Sequence, residues 1–168
     1  MKIKNKLLLF ILAVSTSFVF AQDKKPASPA ETATGKSNGA TITINYGSPS
    51  VKGREIWGSL VPFDKVWRAG ANNATTFETD KDITVNGSKL PAGKYSFFII
   101  PNKTESTIIF NKVPDQWGAY KYEESKDQLR IKVKPQPLDN VVEKLTYTVN
   151  QNSVDVVWEK WKLSFNIK

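Results

Sequence analysis

Alternating apolar and polar residues recur along most of the chain in runs of six to eight residues. The alternation is regular in residues 41–46, 128–134, 143–149 and 160–167. Successive side chains of a β-strand point to opposite faces, so each alternating run predicts a strand with one buried face. Residues 94–100 are apolar on both faces after Ser96, which predicts a strand at the centre of a sheet.

Turn signals separate these predicted strands at short intervals. Asn86-Gly87 favours a two-residue hairpin turn, and Pro91-Ala92-Gly93 precedes the predicted central strand. We expect residues 106–110 to pair with that strand across a turn at residues 101–103. We also expect one helical turn at residues 54–60. The pattern predicts an all-β chain, an antiparallel β-sandwich or jelly-roll-like fold of about nine strands with little helix.

Two long segments, residues 47–74 and 111–127, interrupt the strand pattern. Long irregular segments are uncommon in compact domains and are often functional. Most of the large aromatic residues outside the predicted strands lie in them: Trp57, Trp67, Trp117, Tyr120 and Tyr122.

The first 21 residues have the organisation of a secretory signal peptide. Three lysines precede an apolar run at residues 7–20, and Ala21 completes a small-residue cleavage site. The apolar run has 14 residues, whereas a membrane-spanning helix needs roughly 20, so a membrane anchor is the less favoured alternative. We therefore expect an exported protein, periplasmic or extracellular, with no transmembrane segment in the mature chain.

Residues 22–39 contain no aromatic and no large aliphatic side chain. Such a segment buries too little apolar surface to order itself, so it is predicted to be a disordered linker. Residues 40–168 are then expected to form a single β-sandwich domain. Of the 24 basic and 16 acidic residues, six and two precede residue 40, which leaves 18 basic against 14 acidic residues in the domain. This mild surplus does not predict nucleic-acid binding.

Histidine and cysteine are both absent from the chain. Their absence excludes Ser-His and Cys-His nucleophile systems, histidine-ligated zinc and histidine general-base catalysis. Only oxygen ligands remain for a metal, so any metal would be a hard cation such as calcium. No cofactor, metal or catalytic residue is predicted.

Arginine is rare, with three residues against 21 lysines. A rare arginine is expected to have a fixed partner, because its planar guanidinium forms paired hydrogen bonds that an ammonium cannot. Arg54 and Arg68 lie close to Trp57 and Trp67 in the first irregular segment. One interpretation is a groove for an anionic or sugar-like ligand. The other is internal bracing, in which each arginine bonds to loop carbonyls or an acid and stacks on a tryptophan.

Asn72 and Asn73 follow Gly70 in the same segment. Asparagine at such a place is by default a turn residue, although its amide can also recognise a sugar or a peptide. Trp158 and Trp161 differ from the loop tryptophans because they are in phase with apolar neighbours, so they are predicted to belong to the core.

Four acidic residues lie in the second irregular segment. A β-sandwich glycoside hydrolase needs two carboxylates at a fixed separation, one with a raised pKa, whereas acids in a lysine-rich loop are usually solvated. The four are Asp115, Glu123, Glu124 and Asp127.

Residues 46–77, Y-G-S-P-S-V-K-G-R-E-I-W-G-S-L-V-P-F-D-K-V-W-R-A-G-A-N-N-A-T-T-F, form the most distinctive stretch. With V-N-G-S-K-L-P-A-G-K-Y-S-F-F-I-I-P, I-I-F-N-K and W-G-A-Y-K-Y, this stretch resembles domain-of-unknown-function family 2911, a family of exported bacterial proteins. The similarity extends from residue 42 to about residue 134. It implies a secreted or periplasmic β-rich domain and no particular activity, so no catalytic residue is carried over from the family.

These observations favour an exported binding module for a carbohydrate or another small polar or anionic ligand. One alternative is a structural or protein-interaction component of the cell envelope, and another is a His-free glycoside hydrolase that uses paired carboxylates. The candidate ligand-binding residues are Arg54, Trp57, Trp67, Arg68, Asn72 and Trp117.

Overall fold

The structure, a computed structural model, describes residues 27–168. The predicted signal peptide and residues 22–26 of the predicted linker lie outside this range. The described part contains a short 3-10 turn at Glu124–Lys126 and ten strands: β1 (Ala30–Ser37), β2 (Ala40–Gly47), β3 (Thr75–Thr79), β4 (Ile83–Val85), β5 (Ser88–Leu90), β6 (Gly93–Ile100), β7 (Ser106–Asn111), β8 (Asp127–Val133), β9 (Gln136–Val149) and β10 (Ser153–Asn166). The predicted all-β, antiparallel fold is confirmed, while residues 54–60 form non-helical turns.

Six strands form one antiparallel sheet in the order β1-β2-β3-β6-β7-β8. Each pairs with the next strand along the chain, except that the β4–β5 hairpin is inserted between β3 and β6. β6 lies at the centre between β3 and β7, as its two apolar faces predicted. The predicted pairing of residues 106–110 with this strand is also confirmed, with Phe97 opposite Phe110.

The long β9–β10 hairpin forms a second layer. Backbone bridges extend this layer on both sides, since Ser50 pairs with Lys144 of β9 and Val85 of β4 pairs with Ile167 just after β10. Two facing layers of antiparallel strands are consistent with the predicted sandwich.

The main core lies between the two layers. The ring of Phe165 in β10 lies 5.9 Å from that of Phe97 and 6.1 Å from that of Phe110. All three side chains are essentially inaccessible to solvent. Burial of each such side chain contributes about 1.5–3 kcal/mol, so these contacts fix the hairpin on the sheet.

The outer face of the sheet is partly covered by the second irregular segment. Phe98, Ile109 and Ala74 form a separate buried cluster on this face. Tyr122 packs edge-on against Phe98, with the ring centroids 5.2 Å apart. This cover explains why β6 is apolar on both faces, because Phe97 contacts the main core and Phe98 contacts the second irregular segment.

The β1 strand corrects part of the predicted linker. Residues 30–37 pair along their whole length with β2. Ser37 is fully buried, and its hydroxyl donates to the Gln151 carbonyl at 3.1 Å. Composition was misleading here because backbone hydrogen bonds hold a strand at a sheet edge, so the strand needs few large apolar side chains.

Candidate functional site

The structure divides the candidate residues into three groups: Arg54 alone, Trp57 with Trp67, and Arg68 with Asn72 and Trp117. Arg54 braces its own loop. Its Nε donates to the Val51 carbonyl at 3.0 Å and its Nη2 donates to the Ser50 carbonyl at 2.5 Å. That loop is in turn held to β9, because the Val51 N–H donates to the Glu143 carbonyl at 2.8 Å. Both principal guanidinium contacts are therefore internal.

Trp57 and Trp67 belong to a cluster of four tryptophans. Trp67 stacks on Trp158 with centroids 5.8 Å apart, and Trp57 stacks on Trp161 at 4.7 Å. The two pairs meet edge-on, since Trp57 lies 5.7 Å from Trp67 with ring planes 88° apart. Two backbone hydrogen bonds of 2.8 and 2.9 Å also join Trp67 to Ile99 of β6. Trp67 therefore anchors the first irregular segment to the sheet.

Trp158 is buried as predicted, whereas Trp161 is only partly buried and lines a cleft. An irregularity in the pairing of β10 with β9 accompanies this difference. Buried side chains in β10 fall at even positions up to Trp158 and at odd positions from Leu163 onwards. The change occurs at Glu159, where the pairing with β9 shifts register and φ is +56°. From Val157 to Trp161 the pairing advances by four residues in β10 and by nine in β9, so the extra residues lie in β9. The left-handed backbone at Glu159 accompanies the change of alternation in β10, and Trp161 packs on Trp57 at the edge of the core.

A row of polar side chains crosses the outer face of the sheet. The strand register aligns Thr32, Asn45, Thr76, Ser96 and Asn111 on five neighbouring strands. The Thr32 hydroxyl donates to Asn45 Oδ1 at 2.8 Å, and Asn45 Nδ2 donates to Thr76 Oγ1 at 3.5 Å. Thr32 and Asn45 remain exposed. The row therefore offers hydroxyl and amide groups in fixed positions.

Three adjoining cavities follow this row, with volumes of about 490, 270 and 410 Å³. The first two share Asn73 and Asp115, and the last two share Asp115, Gln116 and Trp117. We call them together the outer-face groove. Lys94 and Asp115 form a solvent-exposed ion pair on it, 3.8 Å apart. Its floor includes part of the polar row, namely Thr32, Asn45 and Thr76.

Asn72 lies where the two irregular segments meet. Its φ of +66° is left-handed, and its Nδ2 donates to the Ser28 carbonyl at 3.4 Å. The Gly118 N–H donates to the Asn72 carbonyl at 3.2 Å, and Asn73 pairs with Trp117 in a backbone bridge. Asn72 thus acts as a turn residue and also lines the outer-face groove.

Gln116 is a site residue that sequence reasoning missed. It is buried, and its Nε2 donates to Ser96 Oγ at 3.1 Å, Asn111 Oδ1 at 3.3 Å and the Val113 carbonyl at 2.8 Å. Gln116 therefore ties the loop that carries Trp117 to the polar row. A glutamine in a polar loop gives no sequence signal of burial, because two of its three partners come from the strands β6 and β7.

Trp117 and Tyr120 are the most exposed aromatic residues of the described chain, at 64% and 84%. Between them, Gly118 has φ +64°, and a Cβ there would lie 3.1 Å from the Tyr120 ring and 3.7 Å from Arg68 Nη1. Arg68 therefore reaches the second irregular segment. Its Nε is buried without a hydrogen-bond partner among residues 27–168, so the paired carbonyl contacts seen for Arg54 do not recur at Arg68.

The acids of the second irregular segment mostly have structural partners. Asp127 accepts hydrogen bonds from Tyr122 Oη at 2.6 Å, Asn111 Nδ2 at 2.8 Å and Arg130 Nη1 at 3.2 Å. Burial, together with the hydrogen bond to Asp127, raises the pKa of Tyr122. Arg130 also pairs with Glu124 at 2.7 Å. Within residues 27–168 no group of three or more acidic side chains could hold a metal ion.

Comparison with known proteins assigns the chain to a family. The family model described as protein of unknown function (DUF2911) matches residues 28–167, so the chain belongs to that family. No curated protein and no solved structure matches it significantly. In the part of the chain that the structure describes, no helix has the length and apolar character needed to cross a membrane.

Proposed function

We propose that this member of the DUF2911 family is an exported protein that binds a neutral oligosaccharide along the outer-face groove. The observation that carries the proposal is the position of Trp117. This side chain is 64% exposed and stands on the groove that follows the row of hydrogen-bonding groups. A large exposed aromatic residue beside ordered polar groups is typical of ligand-binding surfaces.

The chemistry of the groove matches that of a sugar chain. A sugar ring has an apolar C–H face, which stacks on an indole, and a rim of hydroxyls, which need donors and acceptors. Trp117 offers the flat apolar surface, while Thr32 and Asn45 offer hydroxyl and amide groups. Neighbouring strands lie about 4.8 Å apart, so the part of the row that lines the groove, Thr32, Asn45 and Thr76 on three strands, spans about 10 Å. Trp117 lies beyond this part of the row, in the adjoining cavity, so the whole groove suits an oligosaccharide better than a single sugar.

Charge favours a neutral ligand. Lys94 and Asp115 of the groove pair with each other, and its other charged residues, Glu31, Lys121 and Glu123, are of mixed sign, so the groove does not present one sign of charge to a ligand. Arg54, the anion-binding candidate of the first irregular segment, bonds to loop carbonyls and lines none of the three cavities. The alternative of a structural envelope component explains the contacts of Arg54 and Trp67, which brace the loops internally. It does not explain why the Trp117 side chain is exposed.

The binding proposal is tested by calorimetric titration with neutral hexasaccharides of glucose, xylose and N-acetylglucosamine. We expect at least one to bind the wild-type protein and Trp117→Ala to weaken it about tenfold, since 1.4 kcal/mol of stacking corresponds to that factor. Val141→Ala is the matched control, because Val141 is also exposed, at 51%, but lines none of the three cavities. Absence of binding at millimolar sugar, or equal binding by Trp117→Ala, would refute the proposal.

Export is a separate part of the proposal and rests on the first 21 residues alone. Expression of the full chain in a bacterial host should give a mature protein that begins at Gln22 and lies outside the cytoplasm. Intact mass and N-terminal sequencing of each cell fraction measure this directly. An unprocessed chain that stays with the cytoplasm would refute export without affecting the groove.

A further inference from the structure

A second concave site, separate from the outer-face groove, lies at the end of the tryptophan cluster. Its volume is about 550 Å³, and none of its lining residues belongs to the three cavities of the groove. We call it the aromatic cleft. The side chains that decide its chemistry are Trp57, Trp161, Phe63, Glu55, Glu159 and Lys103.

Aromatic carbon forms much of the aromatic cleft. Trp57 and Trp161 are stacked with centroids 4.7 Å apart, and Phe63 lies 5.7 Å from Trp161. The indole Nε1 of Trp57 is buried, so the surface that Trp57 presents to the cleft is ring carbon. A ligand therefore meets π-faces and edges here rather than an indole hydrogen-bond donor.

Two carboxylates accompany these rings. Glu55 and Glu159 both line the cleft, and neither forms an ion pair with any residue in the range 27–168. Glu159 lies at the register shift between β10 and β9 and has a left-handed φ of +56°. A residue other than glycine in that conformation is strained, and such strain concentrates at functional sites. This irregular part of β10 places both Glu159 and Trp161 at the cleft.

The aromatic cleft already holds one cation from its own chain. The ammonium of Lys103 lies over the ring of Phe63, 5.4 Å from its centroid. This geometry is that of a cation–π contact, in which the negative ring face attracts a positive charge. One wall of the cleft is therefore shaped for an ammonium group, and the two glutamates outnumber the single lysine.

We propose that the aromatic cleft binds a small organic cation of the alkylated ammonium class. Such a cation has an apolar surface that packs on Trp57, Trp161 and Phe63, and a charge that the ring faces and both carboxylates attract. The two carboxylates repel an anion. Lys103 acts as an internal competitor, because its ammonium occupies the face of Phe63.

The test is a titration of the full mature chain with choline, followed by tryptophan fluorescence and calorimetry. The control ligand is 3,3-dimethylbutan-1-ol, which has the shape of choline without the charge. We expect saturable binding of choline and about tenfold weaker binding of the neutral analogue, the factor expected for a partly desolvated cation–π site. No binding of choline at tens of millimolar, or equal binding of both compounds, overturns the proposal.

Three variants separate this site from the groove. Trp161→Ala and Glu159→Gln should each weaken choline binding severalfold, while Lys103→Met should strengthen it by removing the competing ammonium. Trp117→Ala, in the outer-face groove, should leave choline binding unchanged. Should Trp161→Ala fold poorly, Glu55→Gln replaces it, because Glu55 is exposed and its substitution keeps the side-chain shape. Unaltered choline affinity in Glu55→Gln and Glu159→Gln would remove the carboxylates from the site and refute the assignment.

Discussion

Asn73 and Trp117 face each other in an antiparallel backbone bridge that joins the two long irregular segments. The bridge is reinforced by the Ala74 N–H, which donates to the Gln116 carbonyl at 2.9 Å. The most exposed tryptophan of the described chain is therefore held by backbone contacts from both segments. Changes in either segment are expected to alter the groove even where they touch no ligand.

Gly118→Ala should weaken ligand binding in the outer-face groove more than it lowers the stability of the fold. A residue with a Cβ at φ +64° costs about 1 kcal/mol in the free energy of unfolding. The added methyl also meets the Tyr120 ring, which is exposed and can move. Gly39→Ala is the control, because Gly39 has φ +83° and open space around its Cβ position. Chemical denaturation should show similar falls in the free energy of unfolding for both variants. Calorimetry should show weaker oligosaccharide binding for Gly118→Ala alone.

Arg54→Lys and Arg68→Lys should differ in stability. Lysine cannot keep the paired bonds from Arg54 to the carbonyls of Val51 and Ser50, so the free energy of unfolding should fall by about 1 kcal/mol. Arg68 has no such pair to lose, since its buried Nε is without a partner among the described residues. Arg68→Lys should therefore lower the free energy of unfolding by less than Arg54→Lys does, because no Nε hydrogen bond is lost. Urea denaturation of both variants measures this, and equal losses would show that the two arginines have the same role.

Tyr122 should make the fold sensitive to alkaline pH. Burial and the hydrogen bond to Asp127 raise its pKa in the folded protein, whereas the unfolded chain ionises at about pH 10. The contribution of Tyr122 to the free energy of unfolding is thus fully present below pH 10. It is lost as the pH rises towards the pKa of Tyr122 in the folded protein, because the tyrosine of the unfolded chain releases its proton first. Denaturation at pH 9 and pH 11 should show that the free energy of unfolding falls less between these two pH values for Tyr122→Phe than for the wild-type protein. An identical fall in the free energy of unfolding for both proteins would show that Tyr122 does not contribute to the alkaline sensitivity.

Removal of β1 should destabilise the protein. A chain that begins at Ala40 lacks the strand that covers the edge of β2 and lacks the bond from Ser37 to Gln151. We expect a fall in Tm of roughly 10 °C and self-association through the exposed edge. A chain that begins at Ala27 is the control and should behave as a well-folded protein. Equal Tm values and equal elution volumes of the two chains would restore the linker interpretation.

Local pattern predicted the elements of this fold well, for a physical reason. Period-two alternation and the turn at Asn86-Gly87 depend on backbone geometry within a few residues, so they can be recognised without knowledge of partners. The central position of β6 was also predictable, because a strand that is apolar on both faces must be covered on both. Trp161 shows the limit of this reasoning, since the alternation of β10 changes phase at the left-handed backbone of Glu159.

The chain's own sequence thus determined an all-β protein, its central strand and two aromatic-rich irregular segments. Tertiary structure alone decided which residues form sites. Thr32, Asn45, Thr76 and Ser96 form one row only because strand register aligns them, and along the chain each resembles an ordinary solvated position. The contrast between Arg54 and Arg68 was likewise decided by which loop carbonyls lie within hydrogen-bond reach. Register and loop packing are set by contacts between residues distant in sequence, which local periodicity does not record.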